Sequence, residues 1–304
     1  MVNRVMAVMF LVGGLSSHGA EGVTNPSVGA FTNFAGRAAA PPVARVTNAL
    51  TGFVAGSLPD VVWSGFQTNG RSTKMWEYWT LPLGWPNTPP VLRWNTNSLL
   101  WGRKGMTAIS QVCEGMGAFG QGAITALTRR HAYVRGHGMG VSGLHPERAG
   151  RRVWFCTKDN QVIEAKAQLL LVRGRDVPSQ PDYSIVLFDA DLPPEIEPMR
   201  VADCLKLIPK YLSGDRSRRP VLMPLQGGYV SAEIPGWTVP FGAGDSGSPL
   251  MLPLPDEVVM YGGLTTSAPS HGMQADMDML SRKAGLDPQK YQMQWVDLDK
   301  YPNP

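Results

Sequence analysis

The feature that most constrains the fold is a succession of short apolar runs, each bounded by turn residues, between about residues 124 and 262. Runs of this length and spacing are typical of strands joined by tight turns. The 34 glycines and 26 prolines among 304 residues agree with frequent turns rather than long helices. We therefore predict an all-β fold with two cores and one late helix.

The individual elements follow from the same pattern. Lys158-Asp159-Asn160 is predicted to be a hairpin turn, and residues 274–284 a helix that stops at Gly285. The Pro- and charge-rich residues 193–220 are predicted to link the two halves. The predicted strands are 153–156, 162–163, 167–172, 184–188, 221–225, 229–234, 250–254 and 258–262.

The N-terminal third differs from the rest. Residues 1–20 combine Arg4, an apolar run and small residues ending at Ala20, the outline of a secretory signal peptide. We therefore expect a secreted or exported protein without a stable membrane anchor after cleavage. Residues 21–60 have the composition of a flexible segment. Residues 61–103 are dense in aromatics, which favours a packed β-rich appendage over an exposed stripe that binds sugar or peptide.

The charge of the chain argues against a nucleic-acid partner, and the spacing of its histidines argues against a metal site. The formal net charge is +4, and the Lys and Arg residues are scattered, so no nucleic-acid partner is predicted. The three cysteines (Cys113, Cys156, Cys204) allow one disulfide and a thiol, or three buried thiols. His131, His137 and His145 lack zinc-motif spacing, so we predict neither metal nor cofactor. The oligomeric state is left open.

The stretch with the most chemical information is residues 241–250, Phe-Gly-Ala-Gly-Asp-Ser-Gly-Ser-Pro-Leu. Its glycines permit a tight turn that exposes the Ser246 hydroxyl and directs backbone N–H groups toward one point. A nucleophile with an oxyanion hole needs this geometry. His131, after an apolar run, is the candidate base, and Asp182, before the run 184–188, is the candidate acid that orients it.

These residues occur in the order His131, Asp182, Ser246, spaced 51 and 64 residues apart. In this the chain resembles the trypsin/chymotrypsin-like serine protease family over residues 105–285. The similar motifs are residues 125–131 (Thr-Ala-Leu-Thr-Arg-Arg-His), 182–188 (Asp-Tyr-Ser-Ile-Val-Leu-Phe), 244–250 (Gly-Asp-Ser-Gly-Ser-Pro-Leu) and 259–267 (Val-Met-Tyr-Gly-Gly-Leu-Thr-Thr-Ser).

The resemblance implies two packed antiparallel six-stranded β-barrels with a C-terminal helix and an N-terminal extension. Residues 21–104 would be the extension, 105–200 the first barrel and 201–304 the linker, second barrel, helix and tail. It further implies a serine endopeptidase that acts on polypeptide substrates, with His131, Asp182 and Ser246 as the triad. The N–H groups of Gly244 and Ser246 would form the oxyanion hole.

The chain also departs from the family pattern. Ala132 stands where many extracellular members carry a cysteine, and Ser248 replaces a glycine. Family zymogens free an N-terminal amine that pairs with the aspartate before the serine. The only similar string, Leu11-Val12-Gly13-Gly14, lies inside the predicted signal peptide, so Asp245 is expected to need another partner.

The predicted substrate pocket contains Pro240, Phe241, Thr266 and Ala268. The resemblance implies that the residue six positions before the serine lies at the base of this pocket. That residue is Pro240 and not a carboxylate, so a small or apolar side chain is expected rather than Arg or Lys.

Two alternatives are open. The first is a binding protein that keeps the protease fold without catalysis. The second, an α/β-hydrolase, is disfavoured because its Gly-x-Ser-x-Gly motif is broken at Ser248 and only His271 follows the serine.

Overall fold

The protein is predominantly β. A computed structural model describes residues 70–115, 123–174, 181–202, 221–232, 238–242 and 244–297. Strands make up 39% of the structure, and this part of the chain contains one α-helix. The predicted signal peptide (1–20), the segment 21–60 and most of the predicted linker lie outside the described residues.

The first sheet has eight strands in the order β3-β5-β6-β10-β9-β8-β4, with β7 paired to β9. All of its pairings are antiparallel. The strands are β3 Ile109–Ser110, β4 Val112–Cys113, β5 Ile124–Ala126, β6 His131–Val134, β7 Gly143–Leu144, β8 Arg152–Cys156, β9 Val162–Arg173 and β10 Tyr183–Phe188.

The first sheet curls into a nearly closed barrel. Its two end strands, β3 and β4, are separated in sequence only by Gln111, which brings the ends of the sheet together. The Ser110 hydroxyl donates to the carbonyl of Trp154 in β8 at 2.7 Å and so bridges the gap. The sheet therefore has eight strands rather than the expected six. The segment around Gln111 forms two short strands, β3 and β4, at opposite ends of the sheet, and β7 adds a further short strand beside β9.

The second sheet has six strands in the order β13-β12-β14-β15-β11-β16. They are β11 Arg200–Ala202, β12 Leu222–Leu225, β13 Tyr229–Ala232, β14 Pro249–Pro253, β15 Val258–Gly263 and β16 Trp295–Val296. Strand β11 pairs in parallel with both β15 and β16, so this sheet is not wholly antiparallel. Strand β11 also lies inside the predicted linker 193–220.

The helix α1, His271–Lys283, begins at Ser270, whose hydroxyl accepts the N–H of Met273. It ends before Gly285, which has a φ of 73° and closes the helix as predicted. The helix packs on β9 and β10 of the first sheet. With one face toward the barrel interior and the other toward α1, every residue of β10 is buried.

An N-terminal hairpin formed by β1 Trp76–Thr80 and β2 Val91–Trp94 packs on both sheets. The Trp76 and Trp94 rings lie 4.2 Å apart, and both side chains are buried. For these two residues the expectation of packed aromatics is confirmed. The largest cluster of buried apolar residues runs through the hairpin, both sheets and α1, so the two halves share a core.

Most of the predicted strands are present. The hairpin at 158–160 is confirmed: β8 pairs with β9, and Asn160 takes a φ of 68° at the turn. The runs 162–163 and 167–172 belong to one long strand, β9. Cys113 and Cys156 are buried and are not bonded to each other, and Cys204 lies outside the described residues.

Candidate active site

A histidine and an aspartate are directly hydrogen-bonded beside strands β6 and β10. His137 follows the end of β6 by three residues, and Asp182 immediately precedes β10. The Nδ1 atom of His137 lies 2.8 Å from Oδ2 of Asp182. Oδ1 of Asp182 accepts the backbone N–H groups of His137 at 2.7 Å and Gly136 at 3.1 Å. An ionised carboxylate can only accept, so Nδ1 donates and Nε2 is the ring nitrogen that can take a proton.

The approach of the His137 loop to Asp182 requires a glycine at position 136. A Cβ atom on Gly136 would lie 2.2 Å from the carbonyl oxygen of Arg173 and 2.7 Å from Oδ1 of Asp182. Any side chain would therefore push the loop away from the carboxylate. Gly136 thus allows both the backbone and the ring of His137 to reach Asp182.

Ser267, which follows strand β15, holds the backbone of Asp182. Its hydroxyl accepts the N–H of Asp182 at 2.8 Å, and its own N–H donates to the carbonyl of Asp182 at 2.9 Å. The Tyr133 hydroxyl contacts the hydroxyl of Thr266 and donates to the carbonyl of Ser267 at 3.2 Å. Burial raises the pKa of Tyr133, so it stays a neutral donor. The aspartate is therefore fixed by contacts between the two sheets.

The half-buried Ser246 lies in a turn that packs against the loop carrying His137. Gly247 has a φ of 87°, and a Cβ there would lie 2.9 Å from the backbone nitrogen of Arg135. The Gly247 N–H donates to the carbonyl of Leu264 at 3.0 Å, which ties the turn to the end of β15. The serine turn and the histidine loop thus meet two residues before His137.

Two backbone N–H groups serve as partners of Asp245. Its Oδ1 accepts the N–H of Gln226 at 2.6 Å, and its Oδ2 accepts the N–H of Gly242 at 2.7 Å. Burial raises the pKa of this carboxyl, and the two N–H donors oppose that shift. Within the described part of the chain, the N–H groups of Gly244 and Ser246 have no acceptor.

The prediction that His131 pairs with Asp182 is wrong. His131 is the first residue of β6 and is fully buried. Its Nδ1 lies 3.0 Å from the hydroxyl of Thr128, and its Nε2 lies 3.2 Å from the hydroxyl of Ser281 in α1. Desolvation, reinforced by Arg130, lowers its pKa to about 4. His131 is therefore a neutral side chain that joins the barrel to the helix.

The four predicted pocket residues lie in two segments of the second half. Pro240 and Phe241 are exposed, and the relative solvent exposure of Phe241 is 57%. Thr266 and Ala268 are partly buried, and the Thr266 hydroxyl is engaged by Tyr133. A cavity of about 660 Å³, whose lining includes Lys104, Arg129 and Glu257, is lined by none of the four.

Sequence reasoning missed His137, Ser267 and Gly136. One signal was available: His137 lies between Gly136 and Gly138, just beyond an apolar run, where a polar base is both held and reachable. His131 also follows an apolar run, residues 124–127, but it begins the next run, residues 131–134. Ser267 carried no signal of its own, since only the tertiary structure brings it to Asp182.

The described residues contain no group of three or more His, Cys, Asp or Glu side chains arranged to hold a metal ion. The same residues contain no helix that is long and apolar enough to cross a membrane.

Comparison with models of known protein families gives no match, and comparison with curated proteins gives none either.

Proposed function

We propose that the protein is a serine endopeptidase in which Ser246, His137 and Asp182 form the catalytic triad. The observation that carries the proposal is the Asp182 carboxylate, which accepts Nδ1 of His137 and two backbone N–H groups beside the Ser246 turn. Relative to the sequence prediction, His137 replaces His131 as the base, and Asp182 and Ser246 are kept.

In the proposed reaction, the Ser246 hydroxyl attacks the carbonyl carbon of the scissile peptide bond, and Nε2 of His137 takes the hydroxyl proton. The imidazolium is stabilised by Asp182 through Nδ1 and then protonates the leaving amine. Water, deprotonated by His137, attacks the acyl-enzyme carbonyl; as the bond to Oγ of Ser246 breaks, the imidazolium returns the proton to Oγ and the acid product leaves. No metal or cofactor has a role in these steps.

The oxyanion hole would be formed by the N–H groups of Gly244 and Ser246. Their lack of an acceptor among the described residues supports this role, because a donor already engaged cannot stabilise a developing negative charge. Loss of one such donor typically costs about 2.7–4 kcal/mol of transition-state stabilisation.

We further propose that the two sheets correspond to the two barrels of a chymotrypsin-like fold. His137 and Asp182 lie next to strands of the first sheet, and Ser246 lies just before β14 of the second sheet, so the triad would lie between the two sheets. Export through residues 1–20 and a preference for a small or apolar side chain near Pro240, Phe241, Thr266 and Ala268 stay predictions.

The test is active-site labelling with a fluorophosphonate, followed by intact mass measurement and peptide mapping. The wild-type protein should gain one adduct on Ser246 and cleave a peptide library. Ser246→Ala should lose both activities while remaining folded. Ser248→Ala is the matched control, since its buried hydroxyl has no hydrogen-bond partner in the described structure, and it should still label.

The alternative is a protease-fold binding protein without catalysis. Wild-type protein that is folded but neither labels nor cleaves would favour it. Labelling of Ser246→Ala at the wild-type rate would contradict the proposed nucleophile.

A further inference from the structure

The turn between β12 and β13 supports the proposed oxyanion backbone. The N–H of Gln226 in this turn donates to Asp245 at 2.6 Å. A Cβ on Gly244, whose φ is 106°, would lie 2.3 Å from Oε1 of Gln226, so the two residues are in direct contact. The same turn therefore fixes both the residue before Ser246 and one proposed oxyanion donor.

This turn has little stiffness of its own. Gly227 and Gly228 take φ values of 88° and 83°. Two consecutive glycines have wide conformational freedom, so a single turn geometry must be imposed by neighbouring groups. The geometry of Gln226 thus depends on what packs against the turn.

The residues just before β1, together with Trp76 in β1, supply those contacts. The N–H of Met75 donates to the carbonyl of Gly228 at 2.7 Å, and the N–H of Val230 donates to the carbonyl of Thr73 at 2.6 Å. The Trp76 ring covers Gly228 so closely that a Cβ there would lie 2.7 Å from Cδ1 of the ring. Strand β1 and the residues before it therefore bind the turn along its backbone and over its glycine.

Gln111 makes a second connection to the turn. Its Nε2 donates to the carbonyl of Leu225, and its Oε1 accepts Nε1 of Trp76 at 3.2 Å. One side chain from the junction of β3 and β4 thus joins the hairpin tryptophan to the first residue of the turn.

We propose that the segment 73–76, with Gln111, is a built-in clamp that holds the turn 225–229 and, through Gln226, keeps the Asp245–Ser246 backbone in its active conformation. The inference rests on the proposed function. In family zymogens a newly freed N-terminal amine pairs with the aspartate before the serine. Here the N–H groups of Gln226 and Gly242 donate hydrogen bonds to the Asp245 carboxylate, and the clamp fixes the turn that carries Gln226. Activity therefore requires no proteolytic cleavage to create a new N-terminus, and Trp76 and Gln111 are positioning residues.

The two glycines of the turn provide a matched pair of variants. Alanine at either position meets a similar backbone penalty, because both φ values are positive. At Gly227 the nearest atom to an added Cβ is 3.8 Å away, whereas at Gly228 the added Cβ meets Trp76 at 2.7 Å. Only Gly228→Ala therefore disturbs the contact between the turn and the clamp.

The experiment compares fluorophosphonate labelling rates of Gly228→Ala and Gly227→Ala in the full chain. We expect Gly228→Ala to label at least tenfold more slowly than Gly227→Ala. This is less than the roughly 10²–10³-fold loss of rate that follows when an oxyanion donor is removed altogether, because the donor is here displaced and not deleted. Modification of His137 by diethylpyrocarbonate, followed by peptide mapping, should proceed at equal rates, because that reaction needs no oxyanion hole. Equal labelling rates for the two variants would overturn the clamp.

If Gly228→Ala does not fold, Gln111→Leu replaces it, with Gln161→Leu in the β8–β9 turn as the control. Gln111→Leu should slow labelling at least tenfold relative to Gln161→Leu, and equal rates would again overturn the clamp.

Wild-type protein carrying a non-removable N-terminal tag should label as the intact species. Labelling confined to N-terminally trimmed molecules would refute the clamp alone, whereas no labelling of any species would refute the proposed function.

Discussion

Replacing Asp182 by asparagine removes the charge that orients the proposed base. The carboxylate accepts Nδ1 of His137 at 2.8 Å with one oxygen and two backbone N–H groups with the other. An asparagine can keep the two backbone bonds with its single oxygen, which turns its NH₂ group toward Nδ1. The imidazole must then accept at Nδ1 and carry its proton on Nε2, where it cannot remove the Ser246 proton.

The expected loss in the rate of peptide hydrolysis is about 10⁴-fold, the size seen when a triad loses its productive tautomer. It corresponds to about 5 kcal/mol of activation free energy. The loss of a charged acceptor should also lower the free energy of unfolding by about 1–3 kcal/mol. The assay is steady-state hydrolysis of a peptide substrate, with urea unfolding of the same samples.

Asp191→Asn is the matched control for Asp182→Asn. Asp191 also receives side-chain hydrogen bonds, from Arg130 and Tyr291, but it contacts no proposed catalytic group. Its variant should keep hydrolysis within about threefold of wild type. If folded Asp182→Asn also stays within threefold, the reasoning on tautomer and charge is refuted.

Three further predictions concern stability and are tested by urea unfolding. Gly136→Ala should lower the free energy of unfolding by about 1–3 kcal/mol, because the added Cβ would lie 2.2 Å from the carbonyl oxygen of Arg173. The control Gly242→Ala, whose Cβ would have no atom within 4 Å, should leave the free energy of unfolding nearly unchanged. Equal effects of the two variants would contradict the steric argument. His131 has a pKa of about 4 in the folded protein and about 6.5 in the unfolded chain. Protonation therefore favours the unfolded chain as the pH falls, and the free energy of unfolding should drop by about 3 kcal/mol from its value above pH 6.5 to its value at pH 4. His131→Gln should make this pH dependence shallower. Asp276→Asn should lower the free energy of unfolding by about 1–3 kcal/mol, because it breaks the pair of hydrogen bonds between Arg173 and the Asp276 carboxylate. An unchanged unfolding midpoint would show that the packing of α1 does not depend on this pair.

The strand pattern could be predicted because local chemistry determines much of it. Asn160 allows the turn between β8 and β9, and Gly285 terminates α1, as their residue types indicate. The sequence could not show that β11 would pair in parallel within the second sheet, since that depends on contacts between distant parts of the chain.

The candidate base illustrates where sequence reasoning ended. His131 and His137 both lie near an apolar run, and the order of residues suits either of them. The choice depends on where β6 ends and on how closely the loop can approach Asp182, which Gly136 decides by lacking a Cβ. Likewise, helix α1 was predicted, but its contact with His131 through Ser281 was not.

The support of Asp245 was also beyond sequence reasoning. The need for a partner could be predicted from the resemblance. That the partners are the N–H groups of Gln226 and Gly242 could not, since a backbone donor has no signature in the residue type. The hairpin around Trp76 likewise read only as a packed aromatic appendage.

The most direct measurement is fluorophosphonate labelling of His137→Gln beside His131→Gln, with the site of the adduct mapped and folding checked on each sample. We predict that wild type and His131→Gln label on Ser246 at rates within tenfold of each other. His137→Gln should label at least 10³-fold more slowly while remaining folded. Labelling that is abolished in folded His131→Gln and retained in His137→Gln would contradict the proposed triad.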